Sequence, residues 1–123
     1  MRKGLKGLPR LLAAFQNSIN GLRDIWRLEE AFRLEAIVLF FAIPTAFIIS
    51  ESIYQASILI SVVLLVIIIE VLNSAIEATI DRISAEHHEL SRIAKDLGSL
   101  AVLLSAFLAL AVWAAVLYEF LKT

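Results

Sequence analysis

The sequence contains no cysteine and lacks the glycine patterns of common nucleotide-binding loops. Without cysteine, the chain cannot form a disulfide, a thiol nucleophile or a cysteine-ligated zinc site. Its glycines fit neither a glycine-rich phosphate loop nor a dinucleotide-binding fingerprint, and the Gly-x-Ser-x-Gly pattern of hydrolases is absent as well. Any nucleotide chemistry must therefore depend on side chains and metal ions.

Charged residues are scarce, at 19% of the 123 residues, whereas 60% are hydrophobic. The mean hydropathy is +0.86. A soluble fold of this size leaves much of its chain at the surface, so the composition argues against a soluble enzyme and against a disordered segment. The net charge of −1 indicates no nucleic-acid partner. We therefore predict an all-α integral membrane protein with a single domain, residues 1–123.

Three stretches carry no charge: 36–50, 52–69 and 97–118. A spanning helix needs about 20 mostly apolar residues. The first stretch becomes long enough if it begins near Phe32, since Arg33 and Glu35 can extend to the membrane interface. We predict spans at about 32–50, 52–70 and 97–119, with the second helix continuing to about residue 84.

Residues 5–28 predict a helix of a different kind. Apolar side chains such as Leu8, Leu12, Phe15 and Trp26 recur there at helical spacing, and polar residues occupy the other faces. We expect this amphipathic helix to lie in the plane of the membrane interface, packed on the cytoplasmic end of the bundle.

Lysine and arginine are distributed unevenly between the predicted loops. Of the 11, Arg2, Lys3 and five others precede the first uncharged stretch, three lie between the second and third stretches, and none lies between the first and second. Positive charge favours the cytoplasmic side. We therefore expect a cytoplasmic N-terminus and second loop, and a C-terminus outside.

A polar stripe continues from the second span. At 3.6 residues per turn, Glu77 and Asp81 lie about 20° on either side of Glu70, with Ser74 about 40° and Asn73 about 60° away. Glu70 lies about 27 Å from the outer face, near the inner edge of a hydrocarbon core about 30 Å thick. Ionisable groups at such depth are usually functional, whereas Asp81 is better explained as part of a solvated helix end.

Residues 83–91 predict a turn that returns the chain along this stripe. If it centres on His87 and His88, Lys95 lies opposite residue 80, and Asp96 is beside it. A lysine near acids suits a phosphate bound with a divalent cation. Adjacent helix positions diverge by about 100°, so we interpret the two histidines as surface or ligand-contact residues rather than a metal pair.

The motifs EVLNSAIEATIDRIS, EHHELS and AKDLGS, with GLRDIW and EEAFRLE nearer the N-terminus, closely resemble the signature of the bacterial integral-membrane diacylglycerol kinase family. The resemblance covers nearly the whole chain. It implies a homotrimeric inner-membrane enzyme with a cytoplasmic active site, which uses MgATP to phosphorylate diacylglycerol to phosphatidic acid.

The resemblance also implies roles for individual residues. Glu70 would be the catalytic base, Glu29 and Glu77 would hold the Mg²⁺ of the nucleotide, and Asn73 would support them. The implied ATP contacts are Arg10, Asn17, Glu29, Glu77, Glu86, His87, His88, Lys95 and Asp96. The implied lipid contacts are Ala14, Phe15, Gln16, Asn17, Ser18, Ile19, Arg23, Asp24, Ile25, Trp26, Ala31, Phe32, Arg33, Leu34, Glu35, Glu70, Ser99, Trp113, Ala114, Ala115, Val116, Leu117 and Tyr118.

The chain departs from the family pattern at a few positions. Asn17 stands where the family carries tyrosine, which weakens the aromatic contact expected for the nucleotide. Leu28 and Leu34 stand in place of asparagine and glutamine. Ile93 replaces an arginine, for which Arg92 is a candidate substitute.

Two alternative functions fit some of these features. Related small membrane kinases phosphorylate undecaprenol, so a polyprenol is an alternative substrate. A proton-coupled transporter subunit could use Glu70 as its proton carrier, but transporters usually keep such an acid near the bilayer midplane. A purely structural assembly factor would leave the polar stripe unexplained.

We also expect an oligomer, because three helices are too few to enclose such a site. The first span and its outer loop are expected to separate Glu29 from Glu70 and Glu77 within one protomer. On this interpretation, the sites form between the subunits of a homotrimer.

Overall fold

The computed structural model describes residues 4, 6–83 and 85–123. These residues form an all-helical chain, as predicted from the composition. Its helices are α1 (Leu8–Leu28), α2 (Glu30–Ile49), α3 (Ile53–Ile83) and α4 (Glu89–Lys122). The last three are each long and apolar enough to cross a membrane, which agrees with the three predicted spans.

Helix α4 begins at Glu89, eight residues before the uncharged stretch that starts at residue 97. The reason is a cap: His88 Nδ1 accepts a hydrogen bond of 3.1 Å from the backbone N–H of Leu90. This bond satisfies one of the amide groups that the first turn of a helix leaves without partners. The predicted ends at Leu5 and Ser84 lie outside the described residues.

A cluster of buried apolar side chains lies where α2 meets α3. It consists of Ala46, Ile49, Ala56 and Leu59. The small alanines let the helices approach closely, as is common between membrane helices. Trp113 of α4 packs against this cluster, and its Nε1 donates a 3.0 Å hydrogen bond to the Leu59 carbonyl oxygen.

A short turn joins α2 to α3 and makes them antiparallel neighbours. Ser52 Oγ accepts a hydrogen bond of 3.1 Å from the backbone N–H of Gln55, while Gln55 Oε1 accepts one of 2.8 Å from the backbone N–H of Glu51. This exchange resembles a capping box and begins α3 immediately after the turn. Residues at equal distances from the turn therefore lie opposite one another.

The corner between α1 and α2 is a single extended residue, Glu29. Arg33 Nη1 donates hydrogen bonds to the carbonyl oxygens of Trp26, at 2.6 Å, and Arg27, at 3.2 Å. These carbonyls end α1 and have no partners within that helix. The Trp26 ring also meets the buried Phe32 ring edge to face, at 6.3 Å between centroids. Arg33 and Phe32 thus fix the corner that carries Glu29.

Candidate active site

The polar stripe of α3 faces the inside of the bundle. Glu70 and Asn73 are each only 8% exposed, and Ser74 and Glu77 are partly buried. Burying such groups among apolar helices is costly unless they find partners or serve a function. Asn73 Nδ2 donates a 3.0 Å hydrogen bond to Glu77 Oε1, one turn along the helix. The asparagine therefore orients the glutamate.

Four carboxylates lie near this level of the bundle. Those of Glu29 and Glu77 lie close enough to Glu70 to interact with it electrostatically, and Glu70 interacts in the same way with Glu35. We call Glu29, Glu35, Glu70 and Glu77 the carboxylate cluster.

The expectation that one protomer separates Glu29 from Glu70 is wrong. In an antiparallel pair joined by a turn at residues 50–52, Glu35 lies opposite residue 67 and Glu29 lies opposite residue 73, so each lies within about one helical turn of Glu70. The first span therefore carries Glu29 back to the stripe rather than away from it. Counting from the turn gives these levels, but only the packing of α2 against α3 decides that the side chains meet.

A second group of polar residues surrounds the turn between α3 and α4. It encloses a pocket of about 380 Å³, here called the turn pocket. Lys95 Nζ donates a 2.8 Å hydrogen bond to Asp81 Oδ1 across the pocket, one residue from the predicted register. Five of the predicted ATP contacts line the turn pocket: Glu86, His87, His88, Lys95 and Asp96.

Sequence reasoning missed two contributors to the turn pocket. Asp81 is exposed, as expected for a solvated helix end, but it is also the partner of Lys95. Arg92 was considered only as a substitute for a family arginine. It forms an ion pair with Glu89 and another, at 2.8 Å, with Asp96. Its spacing from these acids, three and four residues, was the available signal.

The predicted site residues on α1 are not gathered at the turn pocket. None of the described α1 residues is buried, and neither Arg10 nor Asn17 lines that pocket. Arg10 lies about 27 Å along the helix axis from Leu28. Among the predicted lipid contacts here, Gln16 and Ser18 make hydrogen bonds within α1, to Asn20 and Ala14.

An apolar groove of about 660 Å³ runs between α2, α3 and α4. Of the predicted lipid contacts, Glu35 and Trp113 line it, and one Glu35 oxygen is buried without a hydrogen-bond partner among the described residues. Trp113 lies opposite Leu59, about 16 Å along α3 from Glu70. The stretch 113–118 is therefore remote from the carboxylate cluster.

The remaining predicted lipid contacts have other surroundings. Val116 packs against the buried cluster of α2 and α3. Seven others have exposed side chains and are not among the described residues that line the groove: Ala31, Leu34, Ser99, Ala114, Ala115, Leu117 and Tyr118.

The carboxylate cluster is a candidate metal site. Among the described residues, no three His, Asp or Glu side chains converge on one point as a complete metal cage would require. Mg²⁺ is usually held by one or two carboxylates together with substrate phosphates and water. Two carboxylates, such as those of Glu29 and Glu77, meet this smaller requirement.

Comparison with known proteins gives a consistent result. A family model described as prokaryotic diacylglycerol kinase matches residues 16–117. Diacylglycerol kinase of Escherichia coli strain K12 is 42% identical over 119 residues, which cover 97% of this chain and 98% of the relative. The Pseudomonas aeruginosa enzyme of the same name is 43% identical over 94% of both chains, and that of Haemophilus influenzae is 39% identical over 91% of this chain and 95% of its own.

Proposed function

Because this chain belongs to the prokaryotic diacylglycerol kinase family, we infer that it is an ATP-dependent kinase that phosphorylates the primary hydroxyl of diacylglycerol to give phosphatidic acid. The family predicted from the motifs is thus confirmed. The observation that carries the mechanism is the buried Glu70 beside Glu35, where the apolar groove reaches the carboxylate cluster. The apolar groove can accommodate acyl chains, and the hydroxyl to be phosphorylated can then lie beside the acids of the carboxylate cluster.

Glu70 acts as the general base in this proposal. Its carboxylate accepts the proton of the primary hydroxyl while that oxygen bonds to the γ-phosphorus of ATP. The bond from the γ-phosphorus to the oxygen bridging it to the β-phosphorus then breaks, and ADP leaves. Phosphoryl transfer depends mainly on positioning and charge neutralisation, so the protein needs only one well-placed base for proton transfer.

Glu29 and Glu77 would hold Mg²⁺, which supplies charge neutralisation to the phosphates when bound. Both carboxylates interact electrostatically with Glu70, so a metal held there would lie beside the base. The hydrogen bond from Asn73 keeps one Glu77 oxygen in place.

We place the nucleotide between the turn pocket of one protomer and the carboxylate cluster of its neighbour. Lys95 and Arg92 supply the positive charge of the turn pocket, and Glu86, His87, His88 and Asp96 supply hydrogen-bonding groups. Within one chain, Asp81 lies about 16 Å along α3 from Glu70. The family resemblance also implies contacts from Arg10 and Asn17 of α1, which do not line the turn pocket of a single chain.

We propose that the single domain 1–123 lies in the bacterial inner membrane with its N-terminus and active site cytoplasmic and its C-terminus outside. The uneven distribution of lysine and arginine supports this orientation. We further propose that α1 is an amphipathic helix in the interface plane, since Leu8, Leu12 and Phe15 are exposed along it. Its residues 14–19 and 23–26 would then contact the lipid substrate from the cytoplasmic side.

We propose a homotrimer whose sites combine residues of two protomers. The groove and the turn pocket both open to the surroundings of a single chain, and a neighbouring protomer could close them. The apolar side chains of α4 that face outward include Leu100, Leu103 and Phe107, which offer a surface for such a neighbour.

Subunit mixing tests the shared site. Mixing inactive Glu70→Gln protomers with inactive Lys95→Leu protomers should return activity to a fraction set by random assembly, because some sites then carry neither defect. Each variant alone is the control, and crosslinking verifies that mixed trimers form. If mixed trimers form without any return of activity, Glu70 and Lys95 act from one chain.

An ATP-dependent phosphorylation assay in mixed micelles tests the proposed substrate. Diacylglycerol and undecaprenol are offered separately, and radioactive product is measured in each. We expect phosphatidic acid from diacylglycerol and much slower turnover of undecaprenol. The reverse preference would identify a polyprenol kinase, and proton flux without phosphorylation would support the transporter alternative.

A further inference from the structure

Helices α3 and α4 are in close contact at Gly98, a buried residue in the interior of α4. Glycine inside a helix is less stable than alanine by about 0.5–1 kcal/mol, so its presence calls for a local reason. A Cβ atom built at Gly98 would overlap Asn73 Oδ1 and would lie 3.1 Å from Asn73 Cγ. The same Cβ would lie 3.8 Å from Asn73 Cβ, an ordinary contact. Only the amide group of Asn73 therefore requires glycine here.

The Asn73 side chain is buried, and its amide makes a hydrogen bond. Its Nδ2 donates to Glu77 Oε1, and its Oδ1 is buried without a hydrogen-bond partner in the described part of the chain. A side chain at position 98 would displace this amide from its position beside Gly98. The hydrogen bond to Glu77 would then be lost or distorted.

We propose that Gly98 is a positioning residue for the kinase reaction: by lacking a side chain, it seats the Asn73 amide so that Asn73 orients the Glu77 carboxylate. The inference rests on the proposed role of Glu77 in binding the metal of the nucleotide. Groups that orient a metal-binding side chain typically contribute tenfold to hundredfold to metal affinity or activity.

The test compares Gly98→Ala with the wild-type enzyme and with Gly21→Ala. Gly21 is the matched control, because it also lies inside a helix and no described atom beyond its own helix turn lies within 4 Å of a Cβ added there. Two quantities are measured in detergent: the Mg²⁺ concentration for half-maximal activity, and the rise in Tm caused by MgATP. We expect Gly98→Ala to raise the Mg²⁺ concentration for half-maximal activity about tenfold or more and to reduce the rise in Tm caused by MgATP. Gly21→Ala should change neither.

A double-variant cycle with Asn73→Ala separates positioning from a general packing defect. In that background the Cβ at position 98 has room, so Gly98→Ala should cause no further change in Mg²⁺ dependence or in the rise in Tm caused by MgATP. If Gly98→Ala alone does not fold, the double variant must still match Asn73→Ala. Wild-type Mg²⁺ dependence in Gly98→Ala, or an equal loss in both backgrounds, would overturn the proposal.

The wild-type assay keeps this inference distinct from the proposed function. Absence of diacylglycerol phosphorylation in the wild-type enzyme would contradict the substrate assignment. The Tm shift with MgATP requires no lipid turnover, so it would still decide whether Gly98 acts through Asn73 on nucleotide binding.

Discussion

Replacing Glu70 with glutamine is expected to lower kcat by about 10²–10⁴, the usual loss when a general base is removed. The substitution keeps the size and hydrogen-bonding capacity of the side chain but removes its ability to accept the substrate proton. The fold and the affinity for MgATP should remain nearly intact. The measurement is the steady-state rate in mixed micelles at saturating ATP and diacylglycerol, with Tm as a check on folding.

Glu35→Gln is the matched control for this experiment. Glu35 lies within about one helical turn of the level of Glu70, interacts with it electrostatically and also lines the apolar groove, so it is the competing candidate for the base. We expect its loss to raise the KM for diacylglycerol more than it lowers kcat. If Glu70→Gln keeps more than about a tenth of the wild-type kcat while Glu35→Gln loses most of it, the two roles are reversed.

Glu77→Gln and Glu29→Gln are expected to weaken metal-dependent nucleotide binding by tenfold or more, and high Mg²⁺ should partly restore activity. Hard divalent cations prefer carboxylate oxygens to amides, so each variant loses affinity for the metal rather than the ability to accept a proton. Titration of Mg²⁺ at fixed ATP measures the effect. Such a rescue is not expected for Glu70→Gln, whose defect lies in proton transfer.

Glu30→Gln serves as the control for Glu29→Gln. Glu30 is the neighbouring carboxylate but is exposed in the first turn of α2. We expect its Mg²⁺ dependence to match that of the wild-type enzyme. If both Glu29→Gln and Glu77→Gln are also indifferent to Mg²⁺, neither carboxylate holds the metal.

The sequence alone determined the class of the protein and the arrangement along each helix. Uncharged stretches long enough to cross a bilayer located α2, α3 and the apolar part of α4, because membrane helices must be apolar over a set length. Helical periodicity placed Glu70, Asn73 and Glu77 on one face, because spacing on a single helix depends only on its pitch. The motifs on that face also identified the family.

Only the tertiary structure decided which side chains of different helices meet. Glu29 and Glu35 reach Glu70 because a tightly capped turn makes α2 and α3 antiparallel neighbours and because Arg33 fixes the corner before α2. The contact of Gly98 with Asn73 depends on the distance between α3 and α4, which periodicity along one helix cannot specify. Such contacts result from packing, in which the volumes of side chains on both partners determine how closely two helices approach.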